Sequence, residues 1–94
     1  MLVVVTMGAA GAVAVMEHRL WLAQPPQIEA VSAVGSGDAF LAGLACGMLG
    51  DRSFADALRL AVAAGSANAL QLGAGKLALA DVEALLEQVI VTEE

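Results

Sequence analysis

Four consecutive residues carry the most chemistry in this sequence: Gly35-Ser36-Gly37-Asp38, with Val34 before them and Ala39-Phe40 after. Glycines just ahead of a helix let neighbouring backbone N–H groups converge on one point. The helix N-terminus adds about half a positive charge. Together they make an anion hole suited to a phosphoryl group, walled by Gly35, Ser36 and Gly37. Asp38 stands at the same helix start. A carboxylate beside a phosphate site opposes simple phosphate storage. It makes sense where it orients or deprotonates a hydroxyl that attacks phosphorus. Spacing alone leaves a second reading open, a plain Gly-Ser-Gly loop with Asp38 as a helix cap, because short glycine motifs are common. The segment is not a Walker loop: no Gly-Lys-Ser/Thr is present, and the single lysine, Lys76, lies far downstream. Nor is it a dinucleotide fingerprint, which wants three glycines at G-x-G-x-x-G.

Other candidates are weaker. His18 sits in a Glu17-His18-Arg19 turn with no second ligand near it in sequence. Cys46 lies in the middle of an apolar segment and is expected to be a buried, inert thiol. As the lone cysteine it excludes a disulfide framework and a thiolate zinc cluster. Trp21 is expected in the core or an interface. Met1, Met7, Met16 and Met48 read as gap fillers, and Asp51-Arg52 and Asp56/Arg59 as solvated pairs.

The chain has 94 residues, room for one domain. It is 60% hydrophobic and carries 4 Lys+Arg against 10 Asp+Glu, a net charge of −6. That balance argues against nucleic-acid or anionic-membrane partners, which need a basic patch. The stretches free of charge, Met1–Met16 and Leu60–Gly75, fall short of the ~20 apolar residues of a spanning helix. No targeting segment is read, so a cytoplasmic location is expected. So apolar a chain of this length is expected to leave some apolar surface for a partner.

The elements that must position the glycine turn follow from the hydrophobic pattern. Leu2–Thr6 is a β-branched run and predicts a buried strand. Gly8 and Gly11 bracket a turn, Ala12–Met16 predicts a second strand, and Leu20–Ala23 a third. Pro25-Pro26 stops it, and Gln27–Val31 reads as one more edge strand. A helix over Asp38–Leu49 is apolar nearly all round and so expected to be buried. Ser53, three residues before Asp56, caps a long Ala-rich helix over Phe54–Leu72, closed by Gly73-Ala74-Gly75. Asp81 or a neighbour caps a last helix to about Ile90, with Val82, Leu85, Leu86 and Val89 on one stripe. Val91–Glu94 reads as a frayed tail. The fold class is α/β: a β meander over 1–31, then an anion-hole turn and three helices over 35–91.

Val34-Gly35-Ser36-Gly37-Asp38-Ala39-Phe40 resembles the second signature of the ribokinase and phosphofructokinase-B carbohydrate kinases, commonly D-T-x-G-A-G-D-x-F. Two further segments stand in register with it. Val5-Thr6-Met7-Gly8-Ala9-Ala10-Gly11 resembles the family's T-x-G-x-x-G strand-turn. Ala63-Ala64-Gly65-Ser66-Ala67-Asn68-Ala69 and Gly73-Ala74-Gly75 resemble its Ala-rich helix and following glycine loop. The resemblance covers essentially the whole chain and corresponds to the family's C-terminal third.

The resemblance implies the C-terminal part of a three-layer α/β/α kinase and ATP-dependent phosphoryl transfer to a sugar or sugar-phosphate hydroxyl. It implies Mg-ATP as cofactor, Asp38 as catalytic base and Gly35, Ser36 and Gly37 as the anion hole. Thr6, Gly8, Gly11, Val62 and Asn68 fall at nucleotide-binding positions. The carbonyls of Ser32, Val34, Asn68, Gln71 and Gly73 fall where many members hold a potassium ion. The family's Asp-Thr pair is here Ser32-Ala33, which resembles the phosphosugar branch, 1-phosphofructokinase and tagatose-6-phosphate kinase. The family's sugar pocket, lid sheet and Asn-x-x-Glu motif lie N-terminal to anything present. The chain is therefore expected to be a fragment, a truncated gene or an excised domain. It is expected to self-associate through the Leu2–Met16 strands or the Phe40–Leu49 helix, with little kinase activity alone. The alternative is a non-catalytic module that self-associates or only binds nucleotide.

Overall fold

The computed structural model describes residues 1–28, 30–32, 34–70 and 78–94. Three strands, β1 (Leu2–Thr6), β2 (Ala12–Met16) and β3 (Arg19–Gln24), form the antiparallel meander that the β-branched runs predict. A fourth strand, β4 (Ile90–Glu93), joins β3, giving a sheet in the order β1-β2-β3-β4. Glu17 and His18 connect β2 to β3 with φ of 50° and 69°. Two successive left-handed residues give the hairpin turn whose twist matches its strands. β1 and β2 are joined by a short 3-10 turn, Gly8–Ala10, closed by the Met7 N–H donating to the Gly11 carbonyl at 2.7 Å. Gly11 has φ 100°, and a Cβ there would run into the Ala23 carbonyl. Glycine is required at that position on both counts.

One sheet face is buried through Ala12, Ala14, Trp21 and Ala23. Three helices follow the meander: α1 (Ser36–Leu49), α2 (Phe54–Ala69) and α3 (Leu79–Leu86). α2 is central, touching α1, α3, β3 and β4. Its start is capped as expected, with Ser53 Oγ accepting from the Asp56 N–H at 3.2 Å. Asp56 pairs with Arg59 one turn on, at 2.5 Å. Small residues bring α1 close to α2. A Cβ at Gly43 would lie 3.0 Å from Ala61 Cα, and one at Gly47 only 2.6 Å from Ala57 Cα. The Trp21 ring meets Phe54 edge-on at 5.5 Å and 64°, tying sheet to helix.

Several expectations are corrected. Residues 91–94 are not a frayed tail: β4 pairs with β3, and Glu94 N–H donates to the Leu20 carbonyl at 2.8 Å. Arg19 holds Glu93 with two hydrogen bonds, at 2.5 and 2.6 Å. Gln27, Ile28, Ala30 and Val31 form no strand; Pro25-Pro26 turns the chain off the sheet, and Val31 and Ser32 donate instead to the Ala69 carbonyl at 2.7 and 3.0 Å. α1 starts two residues early, at Ser36, and is not buried all round. Ala39, Phe40, Gly43, Leu44 and Gly47 face inward, while Leu41, Met48 and Leu49 are exposed. Cys46 is exposed as well. Met1, Met7 and Met48 are exposed rather than filling gaps, and in β1 Val3 and Val5 face solvent. α3 is shorter than expected, with Ala78 at its cap position and Asp81 in its first turn, and Val89 is buried beyond its end. α2 ends at Ala69 with Leu70 as its C-cap, earlier than expected; Leu72 and the expected Gly73–Gly75 loop lie outside the described residues.

Candidate functional site

The glycine turn becomes a helix start in the way its composition requires. Gly35 is the N-cap of α1 with φ 82°, a left-handed conformation that favours glycine. The first backbone bond of the helix runs from Ala39 N–H to the Gly35 carbonyl at 2.9 Å. The N–H groups of Ser36, Gly37 and Asp38 therefore have no intrahelical acceptor, and no side chain caps this end. A Cβ at Gly37 would meet nothing within 4 Å. The arrangement leaves donors at the positive end of a 14-residue helix, with open space beside the Gly37 Cα.

The end of α2 shapes this turn. Asn68 is fully buried, and its Nδ2 donates to the Val34 carbonyl at 2.8 Å and to Ser36 Oγ at 3.3 Å. Gly65 lets the turn approach: a Cβ there would sit 3.2 Å from the Ser36 carbonyl. Ser32 Oγ accepts from the Val34 N–H at 3.2 Å.

Between the sheet and the helices lies a cleft of about 300 Å³. It brings together Thr6, Gly8 and Gly11 from the β1–β2 connection, Ser36 and Gly37 from the α1 start, and Val62 from α2. Residues more than fifty positions apart in sequence thus share one wall. Its volume lies at the lower end of the usual range of ligand pockets. Asn68 does not line the cleft; its side chain turns toward the glycine turn instead. Asp38 is exposed in the first turn of α1, next to Gly37 but outside the cleft lining. Sequence reasoning missed Pro26, Gln27 and Ile28, which also line it. Their only signal was Pro25-Pro26, read as a strand stop. Phe40 and Ser66, quoted within motifs but given no role, line it too.

Of the five carbonyls expected around potassium, those of Gln71 and Gly73 lie outside the described residues, and that of Val34 accepts from Asn68. Among the described residues no group of three or more His, Cys, Asp or Glu could hold a metal ion. His18 stays in its exposed turn. The clearest electrostatic perturbation lies elsewhere, on the β3–β4 ladder. There the hydrogen bonds from Arg19 hold the Glu93 carboxyl below its usual range, and Glu93 raises the Arg19 guanidinium in turn.

A turn with a bare helix N-terminus, an adjacent carboxylate and a shared cleft is an arrangement able to receive an anionic group in an α/β protein. The chain belongs to the pfkB family of carbohydrate kinases, whose model matches residues 1–81. It is 44% identical over 61 residues to the 1-phosphofructokinase of Escherichia coli K12, covering 65% of this chain and 20% of that enzyme. Its fold matches a Staphylococcus aureus chain ascribed to the phosphofructokinases, with a TM-score of 0.90 and 32% identity over 99% of this chain and 30% of that one. It also matches phosphofructokinase-2 of Escherichia coli in complex with potassium, with a TM-score of 0.86 and 29% identity over 93% of this chain and 28% of that one. The chain thus spans about a fifth of the length of the curated relatives it matches.

Proposed function

We propose that this chain is the nucleotide-binding and phosphoryl-transfer portion of an ATP-dependent kinase acting on a sugar or sugar-phosphate hydroxyl. The observation that carries this reading is the cleft itself, where the Thr6–Gly11 connection, the bare N-terminus of α1 and Val62 share one wall. In this reading the adenine lies against Val62 and the phosphates run toward the N–H groups of Ser36–Asp38. There, fixed donors offset the charge on the transferred group. Asp38 accepts the proton of the attacking hydroxyl as that oxygen bonds to phosphorus. No covalent phosphoenzyme forms. In the same reading Mg²⁺ arrives bound to ATP. Potassium in this reading is held by carbonyls near Ser32. The sugar phosphate named for the relatives supports a phosphosugar acceptor, and the setting is the cytoplasm. No helix among the described residues is long and apolar enough to cross a membrane.

The test is amide exchange on the 94-residue chain with and without MgATP. Protection gathered at 6–11 and 35–38 is expected. Protection spread elsewhere, or none at saturating nucleotide, contradicts the assignment.

A second reading has its own observation. β1 is an edge strand with no charged residue, and Val3, Val5 and Leu41 are 46%, 53% and 65% exposed. Uncovered apolar edges drive association. On this reading the chain self-associates and is a poor kinase alone.

A further inference from the structure

Asn68 stands near the end of α2, with its side-chain amide against the glycine turn. It is the one buried polar side chain among the described residues, at 0% exposure. Its amide points away from the cleft wall and into the turn that carries Gly35. The Val34 carbonyl can only accept, so the atom 2.8 Å from it must be the amide nitrogen. The same nitrogen lies 3.3 Å from Ser36 Oγ, so there too it is the donor. A hydroxyl whose oxygen already accepts an N–H turns its own proton to another acceptor. Ser36 lines the cleft, so that proton is free to face an anionic oxygen. Ser36 then adds a side-chain donor to the backbone donors of the helix start.

We propose that Asn68 is a positioning residue that fixes the hydrogen-bond polarity of the glycine turn, so that the Ser36 hydroxyl donates to a phosphoryl oxygen. The proposal rests on the reading of 35–38 as the phosphoryl site. It reassigns Asn68 from nucleotide contact to a buried clamp acting through Val34 and Ser36. Burial matters because a buried amide hydrogen bond cannot be exchanged for one to water without cost.

The experiment compares affinities for MgATP and for adenosine, which fills the same cleft without phosphates, using the intact chain. Asn68→Leu is expected to weaken MgATP binding about tenfold, the effect of one charge-assisted hydrogen bond. Adenosine affinity should hold within about twofold, since a merely structural loss would move both together. Ser36→Ala should show the same selective loss, and the double variant should lose less than the product of the two single effects. If Asn68→Leu does not fold, Asn68→Asp carries the test. It is isosteric, but its carboxylate cannot donate to the Val34 carbonyl. Folded Asn68 variants that keep the wild-type preference for ATP overturn the proposal, as do multiplicative effects or a Ser36→Ala chain that keeps the preference. A wild-type chain that binds ATP no more tightly than adenosine overturns the phosphoryl-site reading as well, which separates the two failures.

Discussion

Gly47 sits where α1 crosses α2, and replacing it by alanine sets two opposing effects against each other. In a helix interior Gly→Ala gains up to about 1 kcal/mol from backbone entropy. At Gly47 the added Cβ would lie 2.6 Å from Ala57 Cα and 2.8 Å from Ala57 Cβ. Neither atom can rotate away, so the two helices must part, and overpacking of this kind costs about 1–3 kcal/mol. The sum is a loss of about 0–3 kcal/mol. Gly37 supplies the internal reference: it lies in the same helix, and a Cβ there meets nothing within 4 Å. Gly37→Ala keeps the entropic gain, so the two variants should differ by roughly 1–3 kcal/mol. In a domain this size each kcal/mol moves the melting midpoint by roughly 4–8 °C. Thermal unfolding of both variants at one protein concentration reads the difference. A Gly47→Ala chain as stable as Gly37→Ala would refute the argument that small residues set the α1–α2 distance.

Three further outcomes are expected. Ser53→Ala removes the cap of α2 and should cost about 1 kcal/mol in urea unfolding, whereas Ser53→Asp should restore it. Glu93 has its carboxyl pKa held below 4.5 by Arg19, so its contribution is complete above the unfolded value. It fades as pH falls through the folded value, and β4 amides should lose exchange protection at acid pH, once that carboxyl is protonated; Glu93→Gln should remove that pH dependence, and an unaltered profile would discount the pair. Val5→Lys places a charge on the exposed edge strand β1; it should lower the sedimentation mass of any oligomer toward 9.4 kDa, and an unchanged mass would move the interface elsewhere.

The meander was readable because Leu2–Thr6 and Ala12–Met16 are apolar runs built mostly of β-branched or small residues and are bounded by turn residues. β4 was not, because its pairing depends on partners far away in sequence: Arg19 and Glu93 are 74 positions apart. The β-branched run Ile90-Val91-Thr92 is compatible with a strand, but it does not show which strand it joins. The apolar excess of α1 was legible, but which of its residues meet α2 was not. Gly43 and Gly47 form the contact face, against Ala61 and Ala57, while the bulkier Leu41 and Leu49 are exposed. Cys46 was misplaced for the same reason. At the site, the Gly35–Asp38 turn and its bare N–H groups follow from local sequence. The direction of the Asn68 side chain does not, because it is set by how α2 lies against the 31–36 segment.

The most direct test of the account concerns Asp38. A chimera can be made in which this chain replaces the matching segment of the Escherichia coli 1-phosphofructokinase, so that Asp38 faces a complete acceptor site. Phosphoryl transfer from ATP to the sugar phosphate is then measured for the chimera and for its Asp38→Asn form. A base that takes the proton of the attacking hydroxyl contributes about 10²–10⁴-fold. Turnover should fall by that factor with ATP affinity nearly unchanged. An Asp38→Asn chimera that turns over at the parent rate would contradict the assignment of Asp38, and with it the phosphoryl-transfer role proposed for this chain.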